Sequence, residues 1–317
     1  MEKICPEILI ISDKHDYATD HVSFQLNKMD ASYLRLNRDQ FMNFDISLDP
    51  LDPKIYGNTQ NFSFEISAEN LNSIYFRAPI YLRDNYQPGL GIDEQLERNQ
   101  WVSFIRSIMV FDDVFWVNNP QATYKAETKP YQLYVAKKIG FNVPKTLITN
   151  TVPKKSMFGK KLVVKTLDPA ILNINDKEGF IYTNFVNYGE LLEKELSSVP
   201  VILQEALIPK VDVRVTVVGN TAFAVTIKKN GEGLSKDWRL EKENIKYEIV
   251  NLPPDIERKC IQLTKKLNLQ FGGIDLVIHD ENYYFIEINP TGEWSWLMHH
   301  LNLDIDKEIA KLLINNK

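Results

Sequence analysis

The sequence predicts a mixed α/β (α+β) protein in three parts. These are an open α/β unit at the N-terminus, a small central α/β unit, and a C-terminal unit built on an antiparallel sheet. Three observations carry this. The short apolar run Glu7–Ile11 is followed by Val22, Leu26 and Met29 at helical spacing, then by the extended run Ser32–Leu36, a β-α-β opening. Asn118-Asn119-Pro120 is a strong break near the first third. In the last third Val213, Val215 and Val217 alternate with Asp212, Arg214 and Thr216, the period of a strand with one buried face.

Each element then follows in order. Thr19-Asp20 is a plausible cap for the first helix, and Ser12-Asp13 is the exit from the first strand. Residues 45–65 are poor in pattern and rich in Asp, Asn, Pro and Gly. Asn72–Arg77 reads as a strand, and Leu96, Trp101, Phe104 and Ile108 as a helix over 93–112. A helix starts near Pro130, carries Leu133, Ala136 and Lys137, and ends at Gly140, a residue suited to a left-handed helix end. Strands are predicted at Thr146–Thr149, Leu162–Thr166 and Val201–Gln204, with a helix at Tyr188–Leu196. Gly219-Asn220 turns the chain back into Ala222–Lys228. Ile256, Cys260, Leu263 and Leu267 form a helical stripe, Gly273–His279 and Tyr283–Asn289 two more strands, and 304–314 a final amphipathic helix. The expected domains are residues 1–117, 118–203 and 204–317.

Composition bounds the function. The chain has 317 residues, too many for one core, with 44% hydrophobic and 25% charged residues, ordinary for a globular protein. The net charge of −5 argues against broad nucleic-acid binding, which shows a basic domain. Cys5 and Cys260 are far apart and give neither a disulfide framework nor a metal cluster. The N-terminal apolar run is too short for a signal peptide, and no later run reaches the length of a membrane span. The expectation is a cytoplasmic protein, with a homodimer favoured by base rate.

The stretch F-I-E-I-N-P-T-G-E-W-S-W at 285–296 poses the chemical question. If Ile274–His279 and Tyr283–Asn289 pair around a three-residue loop, Asp280-Glu281-Asn282, then Asp275 falls opposite Glu287. Like charges directly opposed on a sheet repel. Asn289 shares their face, while Ile274, Leu276, Ile278, Ile286 and Ile288 take the core face. Two carboxylates and an amide oxygen on one face suit Mg²⁺, which accepts oxygen ligands and substrate phosphates together. A four-residue loop would set Asp275 against an isoleucine and remove the argument. The alternative is a solvated face that carries two acids.

Cationic residues recur elsewhere. Lys165 ends L-V-V-K and is either an edge gatekeeper or a functional charge. Lys129 lies at a helix start, near backbone donors that favour anions. Asp212 and Arg214 share a face, with Lys228 on the partner strand and Arg239 in K-D-W-R; this set also reads as a salt-bridge ladder. Gln204-Glu205-Ala206-Leu207 leaves a strand and offers backbone groups to a base such as adenine. His299 and His300 read as structural.

In this order Lys129, Lys165, Q-E-A-L-I at 204–208, D-V-R at 212–214, D-W-R at 237–239, Asp275 and E-I-N at 287–289 resemble the ATP-grasp ligases. The resemblance implies an ATP-grasp fold, ATP as substrate and two Mg²⁺. It implies that Lys129 and Lys165 hold phosphates, and that Gln204, Glu205, Ala206 and Leu207 lie at the adenine. Asp212 would approach the ribose, with Lys228 among the nucleotide-binding residues. Asp275, Glu287 and Asn289 would bind metal, and Arg214 and Arg239 would stabilise an acyl phosphate. Within that superfamily I-L-I-I-S-D-K-H-D-Y-A-T-D-H-V, L-R-L-N-R-D, I-Y-F-R-A-P and N-P-T-G-E-W-S-W-L resemble the graspetide synthetases of the microviridin, plesiocin and thuringinin type. These join Asp or Glu side chains of a leader-bearing precursor peptide to Thr or Ser hydroxyls, or to Lys amines. The chain departs from the glutamate ligases of the superfamily. L-D-P-A-I-L-N-I-N-D-K-E-G-F follows Lys165 in place of a Gly-rich flap, and Leu240-Glu241 follows Arg239 in place of an asparagine. Trp294 and Trp296 either pack over the site or wall it for a peptide; on a strand they would share a face and on a helix they would not.

Overall fold

The structure is a computed structural model. It describes residues 2–59, 61–77, 90–153, 157–167, 171–174, 177–180, 184–192, 199–229 and 245–315. The N-terminal third contains β1 (Glu2–Ile4), β2 (Ile8–Ser12), α1 (Tyr17–Lys28), β3 (Tyr33–Asn37), β4 (Asp45–Asp49), β5 (Lys54–Asn58), β6 (Phe62–Ser67), β7 (Ser73–Phe76), α2 (Ile92–Ser107) and β8 (Phe115–Val117). Strands β3-β2-β7-β8 form a parallel sheet, as the β-α-β opening predicts. The pattern-poor stretch near 45–65 is structured: β4, β5 and β6 form a second sheet with β1. Alternation was present, with Ile46 and Leu48 in D-I-S-L-D and Phe62, Phe64 and Ile66 in F-S-F-E-I-S, but the Asp-, Asn- and Pro-rich segments between the short strands masked it.

The chain continues with α3 (Pro120–Ala126), α4 (Lys129–Ile139), β9 (Thr146–Thr149), β10 (Lys161–Lys165), β11 (Ile171–Ile174), β12 (Lys177–Phe180), β13 (Asn184–Asn187), α5 (Tyr188–Leu192) and β14 (Val201–Glu205). Helix α4 ends at Gly140, φ 94°, in the left-handed conformation that its sequence predicts. Its buried face is Gln132, Val135 and Ala136; Leu133 is only half-buried and Lys137 is exposed. Strands β13-β10-β14-β9 form an antiparallel sheet, and β11 pairs with β12.

The last part holds β15 (Val211–Val218), β16 (Thr221–Lys229), β17 (Ile245–Ile249), α6 (Pro254–Lys266), β18 (Phe271–His279), β19 (Asn282–Asn289), α7 (Ser295–Leu301) and α8 (Ile305–Asn315). The sheet order is β17-β16-β15-β18-β19, antiparallel throughout. One face buries Val213, Val215, Val217, Ile274, Leu276 and Ile288 against the Ile256–Cys260–Leu263–Leu267 stripe of α6. Burial pushes the Cys260 thiol up to about 12, as suits a small core hydrophobe. The opposite face is shared. Val218, Val225, Phe271 and Trp294 join a core with Ile8 and Ile10 of β2, Val22 of α1 and Ile309 of α8. The C-terminal helix thus packs with elements of the N-terminal third. Gln25 Nε2 donates to the buried Asp306 at 2.7 Å, and Ser73 Oγ to the Leu313 carbonyl at 2.8 Å. Among the described residues, no helix is long and apolar enough to cross a membrane.

Candidate active site

The β18–β19 hairpin sets Asp275 opposite Glu287, as the sequence predicts, but by a different route. The turn has two residues, Asp280 and Glu281, with φ of 46° and 63°, and His279 pairs with Asn282. That is the favoured hairpin geometry, with positive φ at both central residues. Alone it would set Asp275 against Ile286. A register shift between Asp275 and Leu276 inserts one residue, so Leu276 pairs with Phe285 and Asp275 with Glu287. Phe285 therefore takes the core position expected of Ile286, which is only half-buried.

Two cations flank these carboxylates. Arg214 is directly opposite Asp275 on β15 and donates through Nη1 to Oδ1 at 2.8 Å. Lys129, at the start of α4, brings Nζ to 3.5 Å from Glu287 Oε2. The row Lys129–Glu287–Asp275–Arg214 lies on the sheet face opposite the α6 core. Its side chains are 21, 27, 32 and 12% exposed, so the carboxylates can still reach a ligand.

Arg214 lies in a slot that two glycines leave open. A Cβ on Gly273 would stand 2.5 Å from its Nη2, and one on Gly292 would stand 2.6 Å away. No real contact is that short, so any side chain at either position displaces the guanidinium.

The donors fit a hard cation. Asp275, Glu287 and the amide of Asn289 offer only oxygen, which suits Mg²⁺. Asn289 opposes Gly273, two register positions beyond the carboxylate pair and so on the same face. Its Oδ1 accepts from Thr291 N–H at 3.0 Å and Thr291 Oγ1 at 3.3 Å, which holds the amide still at the start of the Pro290–Gly292 turn. With two cations against two carboxylates the row has no formal net charge. A metal ion here would bring charge that the four side chains do not balance and that the phosphates of a nucleotide would.

The other predicted residues fall into separate groups. Lys165 Nζ donates to Gln204 Oε1 at 3.0 Å, and Gln204 Nε2 donates to Thr146 Oγ1 at 3.0 Å. Gln204 is buried, and its side chain is engaged between Lys165 and Thr146. Glu205 N–H is paired with the Lys145 carbonyl at 2.9 Å, and its carboxylate accepts from Lys145 N–H at 3.3 Å. Leu207 is buried and Ala206 half-buried beyond the strand end. Asp212 is ion-paired with Lys210. Lys228 does not join Asp212 and Arg214. Asp212 pairs with Ile227, so alternation turns Lys228 to the other face, where it meets Glu248 at 2.8 Å. Arg239 lies outside the described residues.

Trp294 and Trp296 part company because a helix starts between them. Trp294 is fully buried. Trp296 is half-buried, donates through Nε1 to the Glu293 carbonyl at 3.2 Å, and packs on Tyr247 at 4.9 Å between ring centroids. His300 packs on the same tyrosine at 4.9 Å and His299 on His21 at 5.6 Å, so neither histidine has a contact in the charge row.

Three residues that hold this site were not read from the sequence. Arg77 donates to the Thr291 carbonyl at 2.9 Å and lies 3.2 Å from Asp16 and 3.4 Å from Glu293. Burial alone would raise Asp16. The Arg77 charge, with hydrogen bonds from Arg77, Thr19 and Ser12, overcomes it and holds the carboxyl below its ordinary range. Asn118 donates to the carbonyls of Phe271 at 2.9 Å and Pro290 at 2.8 Å, and accepts from Gln270 and Phe271 N–H at 2.7 and 2.9 Å. Gln132 bonds the backbone of Ile288. A signal was available: Gln132 interrupts an apolar helix stripe, and Arg77 is a charge directly after the apolar run I-Y-F of a strand.

Known proteins match this sequence and fold. The RimK-like ATP-grasp domain model matches residues 129–313, more than half of the chain. A Chryseobacterium gregarium RiPP-associated ATP-grasp ligase, solved with ADP and a leader and core peptide, is 26% identical. Its TM-score is 0.81, over 100% of this chain and 98% of that one. The macrocyclase MdnC of Microcystis aeruginosa, bound to the precursor peptide MdnA, has the same fold at 23% identity. Its TM-score is 0.81, over 98% of this chain and 100% of that one. The alpha-aminoadipate–LysW ligase LysX of Sulfurisphaera tokodaii is 22% identical over 256 residues, 74% of this chain and 87% of that protein. The charge row, the lysine-bearing antiparallel sheet and the full-length fold matches lead to one conclusion: the chain belongs to the RimK-like ATP-grasp family and is an ATP-dependent ligase.

Proposed function

We propose that this ligase is a leader-guided peptide macrocyclase. It joins Asp or Glu side chains of a ribosomally made precursor to Thr or Ser hydroxyls of the same peptide. One observation carries the reading. The Lys129–Glu287–Asp275–Arg214 row stands on a sheet face in a chain matched end to end by a ligase solved with ADP, a leader and a core peptide.

Forming an ester from a carboxylate and an alcohol in water is uphill, so the carboxylate is activated first. Its oxygen attacks the γ-phosphorus of ATP, the bond to the β-phosphate oxygen breaks, and ADP leaves. The hydroxyl oxygen then attacks the acyl carbon. Phosphate departs with the acyl–oxygen bond, the hydroxyl proton is lost, and the ester closes the ring. The protein's task is positioning and charge stabilisation. Arg214, fixed between Gly273 and Gly292, holds the acidic side chain and the charge that develops on the phosphoryl oxygens. Arg239 shares that role by family resemblance. Lys129 and Lys165 hold phosphates, with Gln204 orienting Lys165. Glu205, Ala206 and Leu207 border the adenine, and Asp212 the ribose. Lys228 is left out, because it faces away. Asp275, Glu287 and Asn289 would hold Mg²⁺, which supplies Lewis acidity to the phosphate oxygens when bound. The same reading has a cytoplasmic homodimer, which sedimentation equilibrium would test.

Purified enzyme and ATP, offered a precursor with Thr-rich and Asp/Glu-rich segments, should release ADP. The peptide should lose the mass of one water per ring. Removing the leader should suppress both. ADP release with free glutamate or a protein tail, and none with the precursor, would replace this reading with a carboxylate–amine ligase like the LysX relative.

A further inference from the structure

Strand β19 is the edge of its sheet, and β18 is its one strand neighbour among the described residues. An edge leaves alternate N–H and C=O groups without a ladder partner, and buried ones must be paired in another way. The chain around α4 supplies the partners. Phe285 N–H donates to the Asn142 carbonyl at 2.8 Å. Two residues, Ile286 and Glu287, then pass before the next edge contact, and they span the register shift, where ladder pairing is locally disrupted. The contact that follows is Gln132. Ile288 N–H donates to its Oε1 at 3.1 Å, and its Nε2 donates to the Ile288 carbonyl at 2.7 Å. The same Nε2 donates to the Ala126 carbonyl at 2.6 Å. Gln132 is 3% exposed and Ile288 2%. One side-chain amide thus makes the pair of hydrogen bonds that a neighbouring strand would make. It makes them at the residue between Glu287 and Asn289.

The same helix carries Lys129 three residues earlier, on a neighbouring face, with Nζ 3.5 Å from Glu287. A single turn of α4 therefore sets both the charge beside Glu287 and the height of the backbone that carries it.

We propose that Gln132 is a positioning residue for the cation site. By holding Ile288 it places Glu287 and Asn289 for the Mg²⁺ that arrives with the nucleotide. The inference rests on the reading of Asp275, Glu287 and Asn289 as the metal ligands. Partners that orient a ligand from behind are worth about 10- to 100-fold in metal affinity or activity.

The test is ADP binding by calorimetry, with and without Mg²⁺, on wild type, Gln132→Met, Gln132→Glu and the double variant Glu287→Gln with Asn289→Ala. Methionine keeps the length and apolar volume but makes neither bond. Glutamate keeps an acceptor for Ile288 N–H. Gln132→Met should bind metal-free ADP as wild type does, while the gain in affinity on adding Mg²⁺ falls about tenfold or more. The Mg²⁺ concentration for half-maximal ADP release should rise by a similar factor, with Gln132→Glu between. An unchanged Mg²⁺ gain in Gln132→Met overturns the proposal. So does an equal loss of metal-free and Mg²⁺-dependent binding, which marks a purely structural residue. If Gln132→Met does not fold, Gln132→Glu decides by the same two criteria. If the double variant keeps the full Mg²⁺ gain, the metal-ligand reading itself is wrong. If it loses the gain and Gln132→Met does not, only the role of Gln132 is wrong.

Discussion

Two charged clusters lie on either side of the Pro290–Glu293 turn, and they are built on opposite terms. Arg77 and Asp16 meet where they are 7% and 12% exposed, with the more open Glu293 at the rim, and Arg77 also takes the carbonyls of the turn. Lys129, Glu287, Asp275 and Arg214 meet on a sheet face where the carboxylates are about a third exposed. In the first cluster Arg77 and Asp16 are spent on each other and on fixed neighbours, the turn carbonyls for Arg77 and the Ser12 and Thr19 hydroxyls for Asp16. In the second the carboxylate oxygens retain room for further partners. The difference separates a fixture from a binding site: a buried, satisfied cluster sets geometry, and a half-open one with balanced charge takes ligands.

The largest break in that comparison comes from Arg77→Met. It leaves Asp16 buried without its cation and frees the turn, and breaking a buried pair costs about 3–5 kcal/mol. Urea unfolding should register that loss, with ADP release per folded molecule changed far less. Arg214→Met should do the reverse. A donor aimed at developing charge is worth about 10²–10³-fold in turnover. ADP release should fall by that factor, with a smaller loss of unfolding free energy than in Arg77→Met. Equal stability losses in the two variants would erase the distinction. A finer probe is Gly292→Ala, which adds one methyl against Arg214 Nη2 and leaves every charge in place. The arginine head is flexible and can shift, so turnover should drop about tenfold, within the 10²-fold that a 1 Å misplacement can cost. An unchanged rate would show that Arg214 acts from more than one position.

The sequence made the second cluster legible and left only a faint trace of the first, and the reason is the same in both. Strand alternation announces residues that break an apolar pattern on an exposed face, so Asp275, Glu287 and Asn289 stood out. It says little about polar residues that complete a core. Arg77, Asn118 and Gln132 lie in buried segments, and their partners are backbone groups more than 100 residues away. The hairpin pairing was right through two cancelling differences. The turn is one residue shorter than expected, and a bulge adds one back. Neither is a matter of hydrophobic period. Lys228 was within reach. The Gly219-Asn220 turn fixes Val218 opposite Thr221, and counting back puts Ile227, not Lys228, beside Asp212. The two tryptophans could not be separated without the helix start at Ser295.

The smallest effect is also the most selective, because it reads the buried cluster without disturbing the open one. Asp16 has its carboxyl held below the ordinary range, burial being outweighed by the Arg77 charge and by hydrogen bonds from Arg77, Thr19 and Ser12. In the unfolded chain it titrates near the ordinary value, about 3.9. Above that pH both states are ionised, and the stabilisation from the lowered value is fully present. As pH falls below it, the unfolded state takes up the proton first, and stability declines until the folded carboxyl is protonated too. Asp16→Asn has nothing to titrate there. The stability gap between wild type and Asp16→Asn, followed by urea unfolding from pH 6 downward, should therefore hold constant to about pH 4 and then close. A gap that stays open in acid would mean that Asp16 contributes through its hydrogen bonds alone, and that the charge of Arg77 is matched by Glu293.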